Sequence, residues 1–205
     1  MKEKISHTIS TIVFDVGRVL VNIDFDAFPR SLGIKRDDPM YADEQRIHQL
    51  AFKYETGKVG TEKFFDSMEG IFRHKFSRTR LVVAWNAIVQ DEVSDIAPVV
   101  DHLQTKYQTA LLSNTNPIHF QKALESTSIL RKFSRKYLSY EMGAAKPDEA
   151  TYRTMIRGLG EESPTILFID DIDENIIAAR RCGIIGLRFR NVSQLKDDLL
   201  NMGIM

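Results

Sequence analysis

The amino-acid sequence predicts an α/β fold: a doubly wound, Rossmann-like parallel sheet with one small helical block inserted. Three observations carry that reading. Five short β-rich runs recur along the chain, and at least three are near-continuously apolar, as strands buried on both faces of a parallel sheet must be. Stretches with helical spacing separate the last four, giving the βαβα rhythm of a doubly wound sheet. The span from Phe25 to about Gln90 has no strong strand run and shows helical spacing alone.

The strand runs are Thr11–Asp15 (TIVFD), Thr109–Ser113 (TALLS), Lys136–Tyr140 (KYLSY), Thr165–Asp170 (TILFID) and Ile184–Phe189 (IIGLRF). Between them, Pro117–Ser126 reads as a helix with its proline at the start, where no N–H is needed. Asp148–Gly158 reads as a second, with Gly158 as its stop, and Glu174–Cys182 as a third, ending at Gly183. In the inserted block, Asp43–Tyr54, Thr61–Arg73 and Ser77–Ile88 show helical spacing. Thr61, ahead of Phe64 and Phe65, reads as a helix cap, and Gly57 and Gly60 mark a turn. Trp85 and the phenylalanines at 52, 64, 65, 72 and 76 read as the core of that block. The expected division is residues 1–24 and 90–205 for the main unit and 25–89 for the insert. No internal repeat or low-complexity segment is present.

Lys plus Arg and Asp plus Glu each total 28, so the formal net charge is zero. That balance supplies no field for nucleic acid or an acidic membrane. The local basic clusters RHKFSRTR and RKFSRK read as solvated faces. Cys182 is the single cysteine, which excludes an internal disulfide and fits a reducing compartment. The N-terminal run MKEKISHTIS lacks the apolar core of a signal peptide, and no apolar run approaches the roughly 20 residues of a membrane span. A cytoplasmic protein, monomeric or weakly homo-oligomeric, is the expectation.

Ligands of an open parallel sheet bind beyond the carboxyl ends of its strands. Polar residues collect at those positions: Asp15, then Ser113 with Asn114, then Lys146, then Asp170 with Asp171. Each has a plain structural reading as a turn residue, helix cap or solvated charge; their convergence on one edge does not. Three carboxylates crowded there repel one another unless a cation sits among them. A hard, all-oxygen site open to a phosphate suits Mg²⁺ better than zinc. Asn175, one helical turn after Asp171, is placed to orient a metal-binding carboxylate. On the other side, Lys146 can neutralise a phosphate oxygen, while Ser113 and the N–H groups of the turn after it bind another. A carboxylate, a metal, a lysine and a hydroxyl around one phosphoryl group suit transfer through an aspartyl-phosphate.

The segments FDVGRVL, LLSNT, GAAKPD and FIDDIDEN resemble the four ordered motifs of the haloacid dehalogenase (HAD) superfamily. The resemblance covers nearly the whole chain, because the helical insert looks like that family's mobile cap. Within the superfamily the motifs are most similar to those of small sugar-phosphate phosphatases, enzymes of glucose 1-phosphate among them. The resemblance implies that Asp15 attacks phosphorus. It implies Mg²⁺ held by Asp15, the Gly17 carbonyl and Asp171, with Asp170 assisting directly or through water. It also implies that Ser113, the Asn114 backbone N–H and Lys146 hold phosphate oxygens, and that the substrate is a small phosphorylated metabolite.

Gly17 departs from the family's usual D-x-D motif, whose second aspartate is the general acid/base. A glycine carbonyl can still reach a metal, but glycine cannot give a proton to a leaving alcohol, a contribution typically worth ~10²–10⁴-fold. Related sugar phosphatases also carry D-x-G. An anomeric leaving group is more acidic than an ordinary alcohol, which favours a sugar 1-phosphate. Asp24 or Asp26 near the insert's hinge is a candidate substitute acid. Arg18 is a candidate for a substrate hydroxyl or an insert carboxylate, with His48, Lys53, Tyr54, Glu55 and Lys58 as further polar candidates on the insert. Two other readings stand beside this one: a dehalogenase, which has no use for a phosphate site, and a non-catalytic phosphate-ester binding protein that lost turnover through Gly17.

Overall fold

The computed structural model describes residues 9–35 and 44–205. Asp43 and most of the N-terminal run lie outside the described residues. The first strand, β1 (Thr11–Phe14), is followed by β2 (Val21–Ile23) and four helices, α1 (Ala27–Leu32), α2 (Glu44–Glu55), α3 (Thr61–Ile71) and α4 (Arg78–Asn86). The chain returns through β3 (Val89–Glu92), α5 (Ile96–Gln104), β4 (Gln108–Ser113), α6 (Pro117–Ser126), β5 (Arg135–Leu138) and the short α7 (Ser139–Met142). It ends with α8 (Glu149–Leu159), β6 (Ile166–Asp170), α9 (Asp173–Arg181), β7 (Ile185–Arg188) and α10 (Val192–Asn201).

Five strands form one parallel sheet in the order β5-β4-β1-β6-β7. From β1 the chain builds outward through β4 and β5, then crosses to the other side for β6 and β7. The order therefore reverses beside β1, and the crevice at such a switch point is where a doubly wound sheet binds ligands. The near-continuous apolar runs have their cause in the two faces. Ile12, Phe14, Leu111, Leu167 and Ile169 pack into one cluster with residues of α5, α6 and α10. Val13, Ala110, Leu112, Ile166 and Phe168 pack into the other with α8 and α9. Successive side chains of a strand point to opposite faces, so a strand covered on both sides must be apolar at every position.

Helix ends follow local chemistry. Asn116 caps α6, its side chain accepting from the His119 N–H, with Pro117 in the first turn. Asp148 caps α8 by accepting from the Ala150 N–H. That helix runs past Gly158 and stops at Gly160, whose φ of 71° is left-handed. Gly158 is glycine for a different reason: a Cβ there would come within 2.6 Å of the Tyr137 ring. Nor is Thr61 a cap. Gly60 holds that position without a side-chain bond, and the Thr61 hydroxyl instead meets the Tyr54 hydroxyl at 2.8 Å.

Helices α1–α4 share an apolar cluster of their own, containing Phe64, Phe65, Phe72, Phe76 and Trp85. Tyr54 stacks on Phe64 with ring centroids 4.3 Å apart. Phe52, expected in that core, is instead 54% exposed. The β2 and β3 strands pair antiparallel at the base of the insert; the sequence offered no strong run at either. Two further contacts fix the insert against the main sheet. The His119 ring stacks on Trp85 at 4.8 Å. Gly57, with φ 67°, turns so close to the chain after β5 that a Cβ would run into the Tyr140 carbonyl oxygen. No helix among the described residues is long and apolar enough to cross a membrane.

Gly57→Ala combines a left-handed backbone with that collision. It should lower unfolding stability by about 1–3 kcal/mol, measured by denaturant titration; a loss below about 0.5 kcal/mol would contradict the tight docking of this turn.

Candidate active site

The carboxyl ends of β1, β4 and β6 and the turn before α8 meet over the switch point. Asp15 follows β1 directly and is 6% exposed, its N–H bound to the Ile169 carbonyl. Ser113 ends β4 and Asp170 ends β6. Lys146 enters from the turn before α8 and is 5% exposed. Its ammonium donates to Asp15 Oδ1 at 2.7 Å, to Asp170 Oδ2 at 2.7 Å and to the Leu112 carbonyl at 3.1 Å. All three of its protons are therefore used. Charge-assisted bonds of this length are the strong kind, and they are necessary here, because a buried ion without partners is costly.

Asp170 is fully buried and accepts four hydrogen bonds from three donor groups. Besides Lys146, the Asn175 amide reaches both carboxylate oxygens at 3.0 Å, and the Ile172 N–H reaches Oδ1 at 2.8 Å. Asn175, placed by sequence spacing as the partner of Asp171, thus serves Asp170 instead, because it extends back over the strand end. The Tyr152 hydroxyl in turn donates to the Asn175 carbonyl at 2.8 Å. Tyr152 carries no sequence signal beyond its place on an amphipathic helix.

Asn114 does more than offer a backbone N–H. Its side-chain amide donates to the Lys146 carbonyl and accepts from the Lys146 N–H, both at 2.8 Å. This two-way clamp fixes where the lysine leaves its turn. The Ser139 hydroxyl joins the same loop, donating to the Thr115 carbonyl and accepting from the Thr115 N–H. The Ser113 hydroxyl meets no protein partner among the described residues and lines the cavity with Asp15, Gly17, Lys146 and Asp171.

Asp15, Asp170 and Asp171 each offer an oxygen, and these lie within 4.8 Å of one another. Burial pushes the Asp15 carboxyl up to about 7; Lys146 opposes the rise and Asp170 adds to it. Asp171 is raised by burial and by Asp170, with Arg18 pulling the other way. Burial alone would lower the Lys146 ammonium, but the two aspartates outweigh it and hold it above the usual lysine range. One ammonium facing three carboxylates leaves negative charge uncompensated. The donor set, three carboxylates with Gly17 on the same cavity wall, fits a Mg²⁺ ion.

Arg18 meets Asp171 at 3.9 Å and lies over the Phe25 ring at 5.5 Å, so the carboxylate it faces belongs to the main unit and not to the insert. Neither Asp24 nor Asp26 lines the cavity at Asp15. Asp24 is held by Arg30 at 2.6 Å, a bond that keeps its carboxyl below the usual range. His48 is exposed and pairs with Glu44.

A family model described as haloacid dehalogenase-like hydrolase matches residues 9–183. The D-ribitol-5-phosphate phosphatase of Bacteroides thetaiotaomicron is 25% identical over 202 residues, covering 93% of this chain and 97% of that protein. A HAD family enzyme of the same organism, solved as a magnesium complex, superposes with a TM-score of 0.80 at 25% identity, covering 92% and 98% of the two chains. The L-2-haloacid dehalogenase of Xanthobacter autotrophicus, solved with chloropropionic acid covalently bound, superposes at 0.66 with 16% identity, covering 96% and 84%. That last likeness is one of fold alone, and the fold serves both carbon- and phosphorus-directed chemistry, so the site must decide.

Lys146→Met keeps the volume and removes the charge, leaving two buried carboxylates without their partner. It should cost about 3–5 kcal/mol of stability. Adding Asp170→Asn should return at least about 1 kcal/mol. Denaturant unfolding of the two variants checks this, and additive losses would contradict the pairing.

Proposed function

The chain belongs to the haloacid dehalogenase-like hydrolase family, and we propose that it is a Mg²⁺-dependent phosphatase of small phosphate esters. The reading is carried by one observation: Asp15, at the tip of β1, shares the Lys146 ammonium with Asp170 on the wall of a cavity. Lys146 holds Asp15 in place on the cavity wall, where it is suited to attack phosphorus. The unpartnered Ser113 hydroxyl and the Asn114 N–H beside it suit two phosphate oxygens.

Asp15, Asp171 and the Gly17 carbonyl would hold the metal, with Asp170, whose oxygens already accept four hydrogen bonds, taking part through water. Bound there, Mg²⁺ supplies charge neutralisation for the phosphoryl oxygens. In the first step a bond forms between Asp15 and phosphorus as the bond to the leaving oxygen breaks; in the second, water attacks phosphorus and Asp15 is released. Lys146, whose three protons go to Asp15, Asp170 and the Leu112 carbonyl, would offset the phosphoryl charge through both by its field rather than by a hydrogen bond. A dehalogenase reading leaves the cluster of Asp15, Asp170 and Asp171 without a metal to hold, and a purely binding reading leaves Asp15 unused.

A sugar or polyol phosphate is the proposed substrate class. Support comes from the D-ribitol-5-phosphate phosphatase relative and from a second cavity of about 460 Å³ within the insert, bounded also by His119, whose lining includes Phe25, Phe28 and Trp85 together with Asp26 and Glu44. Such a lining suits a hydroxylated ring. The helical insert, residues 25–89, would act as a cap that closes over the substrate and excludes water. A single cysteine fits a reducing, cytoplasmic setting for a metabolite phosphatase.

Purified protein assayed against a panel of phosphorylated metabolites should release phosphate with Mg²⁺ and stop when the metal is chelated. Asp15→Asn should fall by roughly three orders of magnitude or more. A hexose 1-phosphate should be cleaved faster than its 6-phosphate isomer, because its leaving group is more acidic. No turnover of any ester with Mg²⁺, alongside tight phosphate binding, would favour the binding-protein reading.

A further inference from the structure

Gly17 leaves the leaving-group oxygen without a proton source from the β1 loop, and neither Asp24 nor Asp26 lines the cavity at Asp15. The phosphatase reading therefore needs an acid from elsewhere, and the cavities indicate where to look. The cavity at Asp15, about 270 Å³, and the chamber in the insert, about 460 Å³, share part of their walls. Phe25, Glu55, Ile88 and His119 line both. If the phosphoryl group sits at Asp15 and the organic group in the chamber, the bridging oxygen lies at this shared boundary.

Only two of those four side chains can carry a proton to it, and His119 is already engaged. Its Nε2 donates to the Trp85 carbonyl at 2.8 Å, and its Nδ1 accepts from the Asn116 amide at 3.1 Å. Burial holds it neutral, down to about 4. Glu55 is different. It ends α2, and among the described residues its carboxyl meets no hydrogen-bond or ion-pair partner. It is also positioned firmly: Tyr54 before it is buried on Phe64, the Thr56 hydroxyl after it is bound to the Phe52 carbonyl at 2.7 Å, and Gly57 is pressed against Tyr140.

Resting on the phosphatase reading, we propose that Glu55 is the general acid and base of the reaction, replacing from the insert the group that Gly17 cannot supply. As the bond from phosphorus to the leaving oxygen breaks and the bond to Asp15 forms, the Glu55 carboxyl gives its proton to that oxygen and the alcohol departs. As water then attacks the aspartyl-phosphate, the Glu55 carboxylate takes a proton from it; phosphate leaves, Asp15 is free and Glu55 is again an acid. Burial raises its carboxyl to about 7, where one group can serve in both directions.

The test compares leaving groups. On a hexose 6-phosphate, Glu55→Gln should lose about 10²–10⁴-fold in kcat/KM. On p-nitrophenyl phosphate, whose leaving group needs no proton, the loss should be at least tenfold smaller. The preference for a hexose 1-phosphate over the 6-phosphate should widen by the same reasoning. Glu55→Asp, which keeps an ionisable carboxyl, should recover part of the 6-phosphate rate, and melting temperatures matching the wild type show that the variants are folded. Equal losses on both esters, or a loss below threefold on the 6-phosphate, overturns the assignment while leaving the phosphatase reading intact. A wild-type protein that cleaves neither ester with Mg²⁺ overturns both.

Discussion

The Lys146 ammonium, 2.7 Å from both Asp15 and Asp170, is the interaction on which the site depends. Two carboxylates at the ends of neighbouring parallel strands cannot both be buried and charged without a cation between them. The chain supplies it from the turn before α8, and every other feature of the site serves to fix it. The Asn114 side chain clamps the lysine backbone, and Asn175 and the Ile172 N–H hold Asp170. The sheet order puts β1 next to both β4 and β6, which brings these pieces from distant parts of the sequence to one edge.

The same arrangement explains a division of labour among three aspartates of one chemical type. Asp170, wholly enclosed by donors, anchors the lysine. Asp171, partly exposed and facing Arg18, has room to ligate a metal. Asp15 lines the cavity. On the proposed role of Glu55, the insert would complete what the sheet lacks: β1 ends in D-x-G, and Glu55 lines the same cavity as Asp15.

Much of this was legible in the sequence because burial on two faces leaves an unmistakable pattern. TIVFD and TILFID are apolar up to the residue that must be polar, so strand and strand-end function are read together. Asn116 with Pro117 marks the start of α6 as plainly. What escaped depends on contacts distant in the chain. Val21–Ile23 and Val89–Glu92 are too short and mixed to read as strands until they pair. Gly158 looks like a helix stop because the Tyr137 ring that requires it is on another element. Asn175 at four residues from Asp171 fits helical spacing, yet the geometry at the end of β6 gives it to Asp170. The hinge aspartates drew attention by proximity in sequence to Gly17, whereas the carboxyl that borders the cavity lies near the end of the second insert helix.

The most direct test of the account is a trap of the covalent intermediate. Protein mixed with Mg²⁺ and a cleavable ester, then quenched in acid, should yield a single peptide heavier by the mass of one phosphoryl group, with the modification on Asp15 and absent from Asp15→Asn. Steady hydrolysis with no such adduct, or with the phosphoryl group on any other residue, would contradict the account.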